Sequence, residues 1–401
     1  MNILVLNCGS SSIKYQLFET EYNNAVLCKG LIEKIGLPDS VLQHQCGDNE
    51  KIKQTTLIPD HQSGINRILQ MLVHPEYGGI RQIEDIRAVG HRVAHGGERF
   101  TDSVLINPSV IRDIEACVEL APLHNPANLK GILSIQEVLP NVPQVAVFDT
   151  SFHQTLPKHA YIYGIPYSYY EKYGIRKYGF HGTSHKYVAN EACRHLDVNF
   201  NEKKIISCHL GNGASVTAID HGISVETSMG FTPVEGLIMG TRCGDLDLGV
   251  LLYLMEKEDL CCSELNDLIN RKSGMLGITG VSSDMRDIRR AANDGNERAK
   301  LGLEIYAYII KKYIGAYAAV LNGVDIILFT GGIGENDISL RKSICSSITY
   351  LGIDFDEQLN DIHGGDDFLI TRNNSKVAVM VVPTNEELVI ARDTRRLVST
   401  R

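Results

Sequence analysis

Long hydrophobic runs, clustered cysteines and an excess of positive charge are all missing from this sequence of 401 residues. Its longest apolar runs, such as residues 377–382, fall well short of the ~18 residues that a membrane-spanning helix needs. The amino terminus lacks the basic and apolar stretches of a secretory signal. A formal charge of −9 disfavours binding to nucleic acid or to an anionic membrane surface. We therefore expect a soluble, cytoplasmic protein that binds neither nucleic acid nor a membrane.

The ten cysteines are scattered along the chain. Only Cys261 and Cys262 are close together and no C-x-x-C motif occurs, so the spacing disfavours a zinc site. Because nothing in the sequence indicates export to an oxidising compartment, we expect reduced thiols that pack as small apolar side chains.

A strand–turn–strand pattern with a glycine- and serine-rich turn occurs near the start of the chain and again in its second half. The repetition indicates two structurally related halves, and the length agrees with two or three domains of about 150 residues. The two copies are residues 3–7, 8–12 and 13–18, and residues 205–210, 211–215 and 216–219.

Elsewhere the pattern predicts alternating strands and helices, typical of an α/β protein. Asn107 and Asn125, each followed by proline, are the predicted N-caps of two helices. A last helix begins near Thr384, where Thr384 and Glu387 fit the capping-box pattern. We place a domain boundary just after Asp149. The predicted strands are residues 88–90, 145–148, 324–329 and 377–382, and the predicted helices are residues 109–120, 127–139 and 304–321.

Three loops rich in glycine and short polar residues each follow a predicted strand. Such loops let backbone N–H groups converge on phosphate oxygens, and Ser10, Ser12 and Lys14 add donors to the first of them. One such loop alone is equally well explained as an ordinary tight turn, but three in one chain favour a phosphate site. Neither G-x-x-x-x-G-K-[ST] nor G-x-G-x-x-G occurs, which excludes the P-loop and the dinucleotide fingerprint. The loops are residues 7–12, 211–215 and 331–336.

Two arginines, Arg92 and Arg242, lie in segments rich in glycine. Arginine suits bidentate binding of a carboxylate or phosphate. Taken singly, each is more often a surface ion-pair residue, but two in such segments suit a reaction that moves negative charge. Residues 178–185 precede another predicted helix, for which Thr183 or Ser184 is the natural N-cap.

Two carboxylates follow predicted elements in positions where they can face a ligand. Asp149 ends the strand at residues 145–148, and Glu386 opens the last helix. A capping role for Glu387 leaves Glu386 available to bind Mg²⁺, directly or through water.

Eight segments together resemble the acetokinase family, which includes acetate and propionate kinases, and the resemblance spans essentially the whole chain. It implies an α/β fold with two duplicated ribonuclease H-like domains of the acetate and sugar kinase/Hsp70/actin superfamily around a nucleotide cleft. One domain would be residues 1–149 with the C-terminal helix 385–401, and the other residues 150–384. The segments are residues 5–14, 91–97, 121–126, 148–153, 178–185, 209–215, 329–336 and 384–388.

The resemblance implies reversible, Mg²⁺-dependent, in-line phosphoryl transfer from ATP to acetate, giving acetyl phosphate and ADP, by a homodimer. Asn7 and Glu386 would hold the Mg²⁺, for which Mn²⁺ can substitute. The catalytic residues would be Asp149, His181 and Arg242. Arg92 would bind the substrate carboxylate in an acyl pocket with Ala94, Leu123, Phe180 and Pro233. The nucleotide would be bound by Ser10, Ser12, Lys14, His209, Leu210, Gly211, Asn212, Gly213, Asp284, Met285, Arg286, Gly332, Ile333, Gly334, Glu335 and Asn336.

A carboxylate acceptor, with a pKa of about 4, is already ionised near neutral pH and needs no general base. We therefore interpret Asp149 as a residue that positions Mg²⁺, its waters or an arginine. On this interpretation Asp149→Asn should lose rate mainly through a weaker dependence on Mg²⁺.

Three positions depart from the family pattern. Ala94 stands where acetate kinases commonly carry valine and propionate kinases carry alanine, so propionate is an alternative or second substrate. Cys243 replaces the usual serine beside Arg242, and would be sensitive to thiol oxidants if exposed. Glu226 replaces the usual aspartate, which is a mild change.

A second class of function stays open, namely a non-catalytic, ATP-driven switch or chaperone of the same superfamily. Such a module shares the phosphate-binding hairpins but has no need for Arg92, His181 and Arg242 together.

Overall fold

The computed structural model describes residues 1–21, 23–361 and 368–400. Within these residues strands and helices alternate as the α/β pattern predicts. The strands are β1 (Asn2–Cys8), β2 (Ser12–Glu19), β3 (Ala25–Glu33), β4 (Val41–Cys46), β5 (Ile52–Thr55), β6 (Ile86–Val93), β7 (Val104–Leu105), β8 (Gln144–Phe148), β9 (Lys204–Leu210), β10 (Ala214–Asp220), β11 (Ile223–Thr227), β12 (Ile326–Thr330), β13 (Phe368–Leu369) and β14 (Ala378–Val381).

The helices are numbered in the same way along the chain. They are α1 (His61–Leu72), α2 (Pro108–Ala116), α3 (Asn125–Val138), α4 (Lys158–Tyr161), α5 (Ser168–Tyr173), α6 (Gly182–His195), α7 (Leu248–Glu258), α8 (Cys262–Asp267), α9 (Gly274–Thr279), α10 (Met285–Asn293), α11 (Glu297–Val320), α12 (Gly331–Asn336), α13 (Ile338–Cys345), α14 (Glu357–Asn360) and α15 (Glu386–Ser399). Among the described residues, none of these helices is long and apolar enough to cross a membrane.

The chain divides into two compact units. Unit 1 is Met1–Gln154 with Asn385–Arg401, and unit 2 is Thr155–Thr384. The sheet of unit 1 has the strand order β5-β4-β3-β2-β1-β6-β8-β7, and that of unit 2 has the order β11-β10-β9-β12-β14-β13. The predicted boundary at Asp149 lies a few residues before the division seen here.

Both sheets contain the same arrangement of four strands. In unit 1, β1 pairs antiparallel with β2 and parallel with β6, which pairs parallel with β8. In unit 2, β9 pairs antiparallel with β10 and parallel with β12, which pairs parallel with β14. The two predicted hairpins are therefore confirmed. Because parallel strands end at the same sheet edge, the loops after β1, β6 and β8 meet at one edge, and the loops after β9, β12 and β14 meet at the corresponding edge of unit 2.

The central strands are buried on both faces, which is typical of parallel strands covered by helices. Every residue of β8 and of β12 is buried. In unit 1, α15 packs closely on β6 because Gly90 has no side chain. A Cβ at Gly90 would lie 2.5 Å from Ile390 Cγ2 and 2.5 Å from Thr394 Oγ1. This close packing holds α15 against β6, and Glu386 is the first residue of that helix.

Several predicted helix starts hold and others are wrong. Asn107 caps α2 as predicted, its side chain accepting from the N–H groups of Ser109 and Val110. The long helix α11 begins at Glu297, earlier than predicted, because Asn296 supplies a cap.

The capping box predicted at Thr384 is wrong. The N-cap of α15 is Asn385, whose side chain accepts from Leu388 N–H. Glu387 does not close a box, because its carboxylate pairs with Lys14 on β2. A partner on a distant strand has therefore replaced the local one.

The expectation that all cysteines are reduced is also wrong, because Cys28 and Cys46 form a disulfide. The two residues face each other across the antiparallel pair β3 and β4. Their separation of 18 residues carries no recognisable motif, so only the strand register brings them together. The other eight cysteines, all within the described part of the chain, are free.

Candidate active site

One edge of the sheet of unit 1 brings together residues from the ends of three strands. Arg92 lies near the end of β6, Asn7 near the end of β1, and Asp149 directly after β8. Leu6 lies opposite His91 in the β1–β6 register, and Val93 opposite Phe148 in the β6–β8 register. The sheet therefore places Asn7, Arg92 and Asp149 at one edge.

Arg92 and Asp149 form a bidentate ion pair. Arg92 Nε donates to Asp149 Oδ1 at 3.0 Å, and Arg92 Nη2 donates to Oδ2 at 2.8 Å. Glu386 Oε2 lies 3.8 Å from Arg92 Nε. The Asp149 side chain is 6% exposed and that of Arg92 27%. Asp149 was expected to position Mg²⁺, its waters or an arginine, and the structure shows it bound to an arginine.

This cluster of charges changes the pKa values of its members. The Asp149 carboxylate raises the pKa of Arg92, so the guanidinium stays charged. Burial raises the pKa of Asp149, which Arg92 opposes and Glu386 reinforces. Nη1 of Arg92 has no partner among the described residues, and it is the donor that remains for a further anion.

Two asparagines of α3 tie the loops of this edge together. Asn128 Oδ1 accepts from Ala94 N–H at 3.0 Å, and Asn128 Nδ2 donates to Cys8 O at 2.8 Å. Asn125 Oδ1 accepts from His95 N–H and its Nδ2 donates to His95 O. Asn125 is thus the first residue of α3 and not its cap, because its side chain is used by the loop after β6. Sequence reasoning missed both roles, although the i,i+3 spacing places both amides on one helix face.

The first glycine- and serine-rich loop is held in a tight turn by Gly9 N–H, which donates to Ser12 O at 2.8 Å. His61 Nε2 lies 2.7 Å from Gly9 O. Lys14, expected at the nucleotide phosphates, has its Nζ 2.5 Å from Glu387 Oε1 and is half exposed. Ser10 lines a cavity of about 370 Å³ in unit 1.

Ala94, Leu123, Phe180 and Pro233 were expected to surround the acyl group. Ala94 and Leu123 belong to unit 1, while Phe180 and Pro233 belong to unit 2. Ala94 is partly buried, Leu123 is 54% exposed and Phe180 is buried.

In unit 2, His181 and Arg242 lie next to the same glycine. A Cβ at Gly213 would be 3.5 Å from His181 Nε2 and 3.6 Å from Arg242 Nη1. His181 occupies the N-cap position of α6 in the left-handed conformation, with φ 56°. The predicted caps Thr183 and Ser184 lie inside the first turn. A non-glycine residue in this conformation is strained, and such strain is often found at functional sites.

His181 is oriented by a buried network of hydroxyl and imidazole groups. Ser215 Oγ lies 2.9 Å from His181 Nδ1 and 2.7 Å from His185 Nε2. His185 Nδ1 lies 2.9 Å from Ser207 Oγ. A hydroxyl has one proton, so Ser215 donates to one imidazole and accepts from the other. If Ser215 donates to His181 Nδ1, the neutral His181 carries its proton on Nε2, on the side of Gly213 and Arg242.

The Arg242 guanidinium is half-buried and has no carboxylate partner in the part of the chain that the structure describes. Among the described residues, the one hydrogen-bond contact of its side chain is with Met239 Sδ, 3.6 Å from Nη1, and no ion pair includes it. Burial lowers the pKa of Arg242 from its ordinary value. A buried, unpaired cation is unfavourable unless a ligand compensates it. Cys243, the next residue in the chain, is partly buried. Burial raises the pKa of its thiol, which disfavours the reactive thiolate.

A cavity of about 940 Å³ in unit 2 is bordered by three of the predicted nucleotide-binding segments. Its predicted lining residues are Gly211, Asn212, Asp284, Met285, Arg286, Gly332, Ile333 and Asn336. Sequence reasoning missed Ser283, Arg289, Asp337, Ile338 and Ser339. Asp284 is both the N-cap of α10 and the partner of Arg286, which lowers the Asp284 pKa to about 2.

Five of the expected nucleotide-binding residues of unit 2 do not line this cavity: His209, Leu210, Gly213, Gly334 and Glu335. Leu210 is fully buried in the core. Glu335 holds the loops instead, since its carboxylate accepts from Gly331 N–H at 2.9 Å and Thr384 N–H at 3.2 Å. His209 stacks on His181, with ring centroids 4.3 Å apart.

Residues 2–392 match the model of the acetokinase family. The chain belongs to this family. An acetate kinase of Caldicellulosiruptor saccharolyticus is 55% identical over 398 residues, which is 99% of each chain.

Two solved structures have the same fold over nearly the whole chain. The acetate kinase of Porphyromonas gingivalis is 50% identical, covers 99% of both chains and superposes with a TM-score of 0.96. A propionate kinase of Francisella tularensis is 41% identical with the same coverage and a TM-score of 0.91. The predicted fold class, α/β with two related units of the acetate and sugar kinase superfamily, is confirmed by these matches.

Proposed function

We propose that this protein is an acetate kinase, which transfers a phosphoryl group reversibly between ATP and acetate. The observation that carries the proposal is the large cavity of unit 2, whose Gly211 and Asn212 lead directly to Gly213, beside His181 and Arg242. A guanidinium and an imidazole next to a cavity lined by glycine loops suit the binding of a transferring phosphoryl group. The names of the relatives agree with this chemistry.

Each donor group has a role that its surroundings support. Arg242 and the Nε2 proton of His181 would bind oxygens of the phosphoryl group, where charge develops during transfer. Arg92 would bind the substrate carboxylate through Nη1, while Asp149 fixes the guanidinium through Nε and Nη2. No residue needs to act as a base, because the acceptor is already ionised. Asp149 would therefore orient Arg92.

Asn7 and Glu386 would hold Mg²⁺. Their amide and carboxylate oxygens are the hard donors that Mg²⁺ prefers, and few protein ligands are typical because the ion keeps waters and phosphate oxygens. When bound, Mg²⁺ neutralises charge on the phosphates. Glu386 Oε2 lies 3.8 Å from Arg92 Nε, so this carboxylate faces the same edge of unit 1 as Arg92.

A hydroxylamine trap tests the proposal. Protein, MgATP, acetate and hydroxylamine should give acetohydroxamate, because hydroxylamine captures acetyl phosphate. Arg242→Leu should give almost none, while Arg271→Leu, a change at an exposed arginine of the same unit, should match the wild type. ATP hydrolysis that no carboxylate affects would instead favour the ATP-driven switch.

Propionate is the second candidate substrate, since Ala94 lies in the expected acyl pocket and the Francisella tularensis neighbour is named a propionate kinase. Asn128 fixes the backbone of Ala94, so Ala94→Val should add two methyl carbons without moving the loop. It should lower kcat/KM for propionate relative to acetate by about 10-fold or more, since one methylene is worth ~1–3 kcal/mol. An unchanged ratio would discard Ala94 as the determinant.

We also propose that the protein is a cytoplasmic homodimer and that Mn²⁺ can replace Mg²⁺. Sedimentation of the purified protein at two concentrations would measure its oligomeric state. A monomer that is fully active would remove dimerisation from the proposal.

A further inference from the structure

A second cluster of reactive side chains lies in unit 1, on strands that the proposed reaction does not use. Cys28 on β3 lies directly opposite Cys46 on β4, and His44 lies two residues before Cys46 on the same face. Cys28, His44 and Cys46 are all buried, and their ligand atoms lie within 4.8 Å of one another. Within the described part of the chain this is the one group of three such residues close enough to hold an ion.

The imidazole of His44 is held so that one nitrogen faces the sulfurs. Its Nε2 lies 3.3 Å from Cys46 Sγ, and in the disulfide form Nε2–H donates to the backbone oxygen of Tyr77 at 3.0 Å. Its Nδ1 lies 2.5 Å from the hydroxyl of Tyr15. A metal on Nε2 requires the other neutral tautomer of His44, in which Nε2 has no proton and Nδ1–H donates to the Tyr15 hydroxyl. A histidine bound to a metal almost always has its second nitrogen held by such a hydrogen bond.

Gly30 makes the Tyr15–His44 bond possible. Tyr15 on β2, Gly30 on β3 and His44 on β4 are paired in register across three strands. A Cβ at Gly30 would lie 2.4 Å from the Tyr15 hydroxyl oxygen. The glycine therefore lets the tyrosine ring pass over β3 to reach His44.

We propose that the reduced form of this cluster binds a zinc-class ion through Cys28 Sγ, Cys46 Sγ and His44 Nε2. Sulfur and imidazole nitrogen are the ligands that zinc prefers, with distances of about 2.0–2.3 Å. Two thiolates and a neutral imidazole balance the charge of Zn²⁺, so the buried site carries no net charge. The backbone oxygen of Tyr77, which accepts from Nε2–H in the disulfide form, would be a further oxygen ligand once Nε2 has lost that proton.

The disulfide and the metal site are alternative states of one pair of cysteines. A dithiol reductant gives two electrons and two protons to the Cys28–Cys46 bond and becomes a cyclic disulfide, which leaves two thiols. Zn²⁺ then replaces the two thiol protons, which pass to solvent. Re-oxidation by a disulfide would reverse the sequence and release the ion.

The sulfurs lie close to the surface despite their burial. Gly79 is exposed, and a Cβ at this position would lie 2.5 Å from Cys28 Sγ and 3.5 Å from Cys46 Sγ. Only the backbone of a glycine therefore covers the cluster on this side. This provides a short path for a reductant or an ion.

Zinc retention by the full-length protein tests the proposal. Protein is reduced with dithiothreitol, desalted under nitrogen, incubated with one equivalent of Zn²⁺ and desalted again, and the zinc content is measured. Reduced wild type should retain about one zinc per chain, and the oxidised protein at least tenfold less. Cys28→Ser, Cys46→Ser and His44→Gln should also retain at least tenfold less. The Cys261→Ser/Cys262→Ser double variant, which removes two exposed thiols, should behave as wild type.

Tyr15→Phe distinguishes a metal site from mere trapping of zinc by thiols. It keeps both cysteines and His44 but loses the hydroxyl that orients the imidazole, and should weaken zinc binding about 10–100-fold. Circular dichroism would verify that each variant is folded. Zinc retained equally by His44→Gln and wild type would overturn the proposal, as would reduced wild type that retains no zinc.

Discussion

The two arginines of the proposed site differ in what surrounds them. Arg92, in unit 1, makes a bidentate ion pair with Asp149 and lies near Glu386. Arg242, in unit 2, contacts a methionine sulfur and, among the described residues, no carboxylate. One guanidinium is thus oriented by an anion of the protein itself, while the other is partly desolvated and available to an anion that arrives with the substrate.

The difference indicates two ways to prepare a cation for a negatively charged ligand. In unit 1 the buried Asp149 carboxylate fixes the Arg92 guanidinium. Its Nη1 is left to bind the singly charged carboxylate of the substrate. In unit 2 the site carries uncompensated positive charge, and neutral groups such as Ser215 orient its histidine. A dense negative charge such as a phosphoryl group is stabilised best by the second arrangement, since Arg242 is not already paired with a carboxylate of the described residues.

The largest expected effect concerns turnover. Arg242→Leu should lower kcat by about 10²–10³-fold, because removal of one donor that stabilises developing charge typically has this effect. The KM for acetate should change little, since Arg92 is untouched. Steady-state kinetics of hydroxamate formation measures both constants. Equal losses of kcat for Arg242→Leu and the exposed control Arg271→Leu would contradict a specific role.

His91 in unit 1 should contribute to the pH dependence of folding stability. Burial lowers the pKa of His91, whose Nε2 is 2.7 Å from Gln144 Oε1, from 6.5 to about 4. As the pH falls from 6.5 to about 4, the unfolded chain gains a proton that the folded protein excludes. Folding stability should therefore fall by up to roughly 3 kcal/mol over this window.

Urea unfolding of wild type and His91→Gln between pH 4 and 7 would isolate this effect. The difference in unfolding free energy between the two should shrink as the pH falls, if the variant is less stable at pH 7. Asp149, whose pKa burial raises, acts in the opposite direction in both proteins and cancels. A difference that is constant with pH would remove His91 from the account.

A change at Arg92 should affect substrate binding more than turnover. Arg92→Leu should raise KM for acetate about 10–100-fold, since a hydrogen bond to a charged group contributes ~1.5–3 kcal/mol. Asp149→Asn should have a smaller effect of the same kind, because Asn still accepts from Nε. A loss of Mg²⁺ dependence in Asp149→Asn, with KM for acetate unchanged, would instead favour the metal-positioning role.

The smallest expected effect concerns the neutral network of unit 2. Ser215→Ala should lower kcat about 5-fold, because one buried hydrogen bond is worth ~1 kcal/mol and the His181 tautomer is no longer fixed. Ser207→Ala, one step further from His181, should have less effect. If Ser207→Ala were the more damaging of the two, the network would have a structural role only.

Sequence reasoning succeeded where the determinants are local. The two hairpins, the buried strands β8 and β12 and the Asn107 cap all follow from residues that are neighbours in the chain. The glycine-rich loops could be predicted because a strand followed by small polar residues is a local pattern. Resemblance to the family then assigned residues to roles that no local pattern reveals.

The failures involve side chains that bind distant partners. Asn125 satisfies the backbone of His95 and not its own helix, and Glu387 pairs with Lys14. Cys28 meets Cys46 only through the register of β3 and β4. The Arg92–Asp149 bond likewise depends on two strands that are adjacent in the sheet but far apart in sequence.

The contrast between the arginines is tested most directly by the unfolding free energies of Arg92→Leu and Arg242→Leu without ligand. Arg92→Leu leaves buried Asp149 unpaired and should be about 2–3 kcal/mol less stable, somewhat less than the ~3–5 kcal/mol of a fully buried pair because Arg92 is partly exposed. Arg242→Leu removes an uncompensated charge and should be as stable as wild type or more so. Equal destabilisation of both variants would contradict the account.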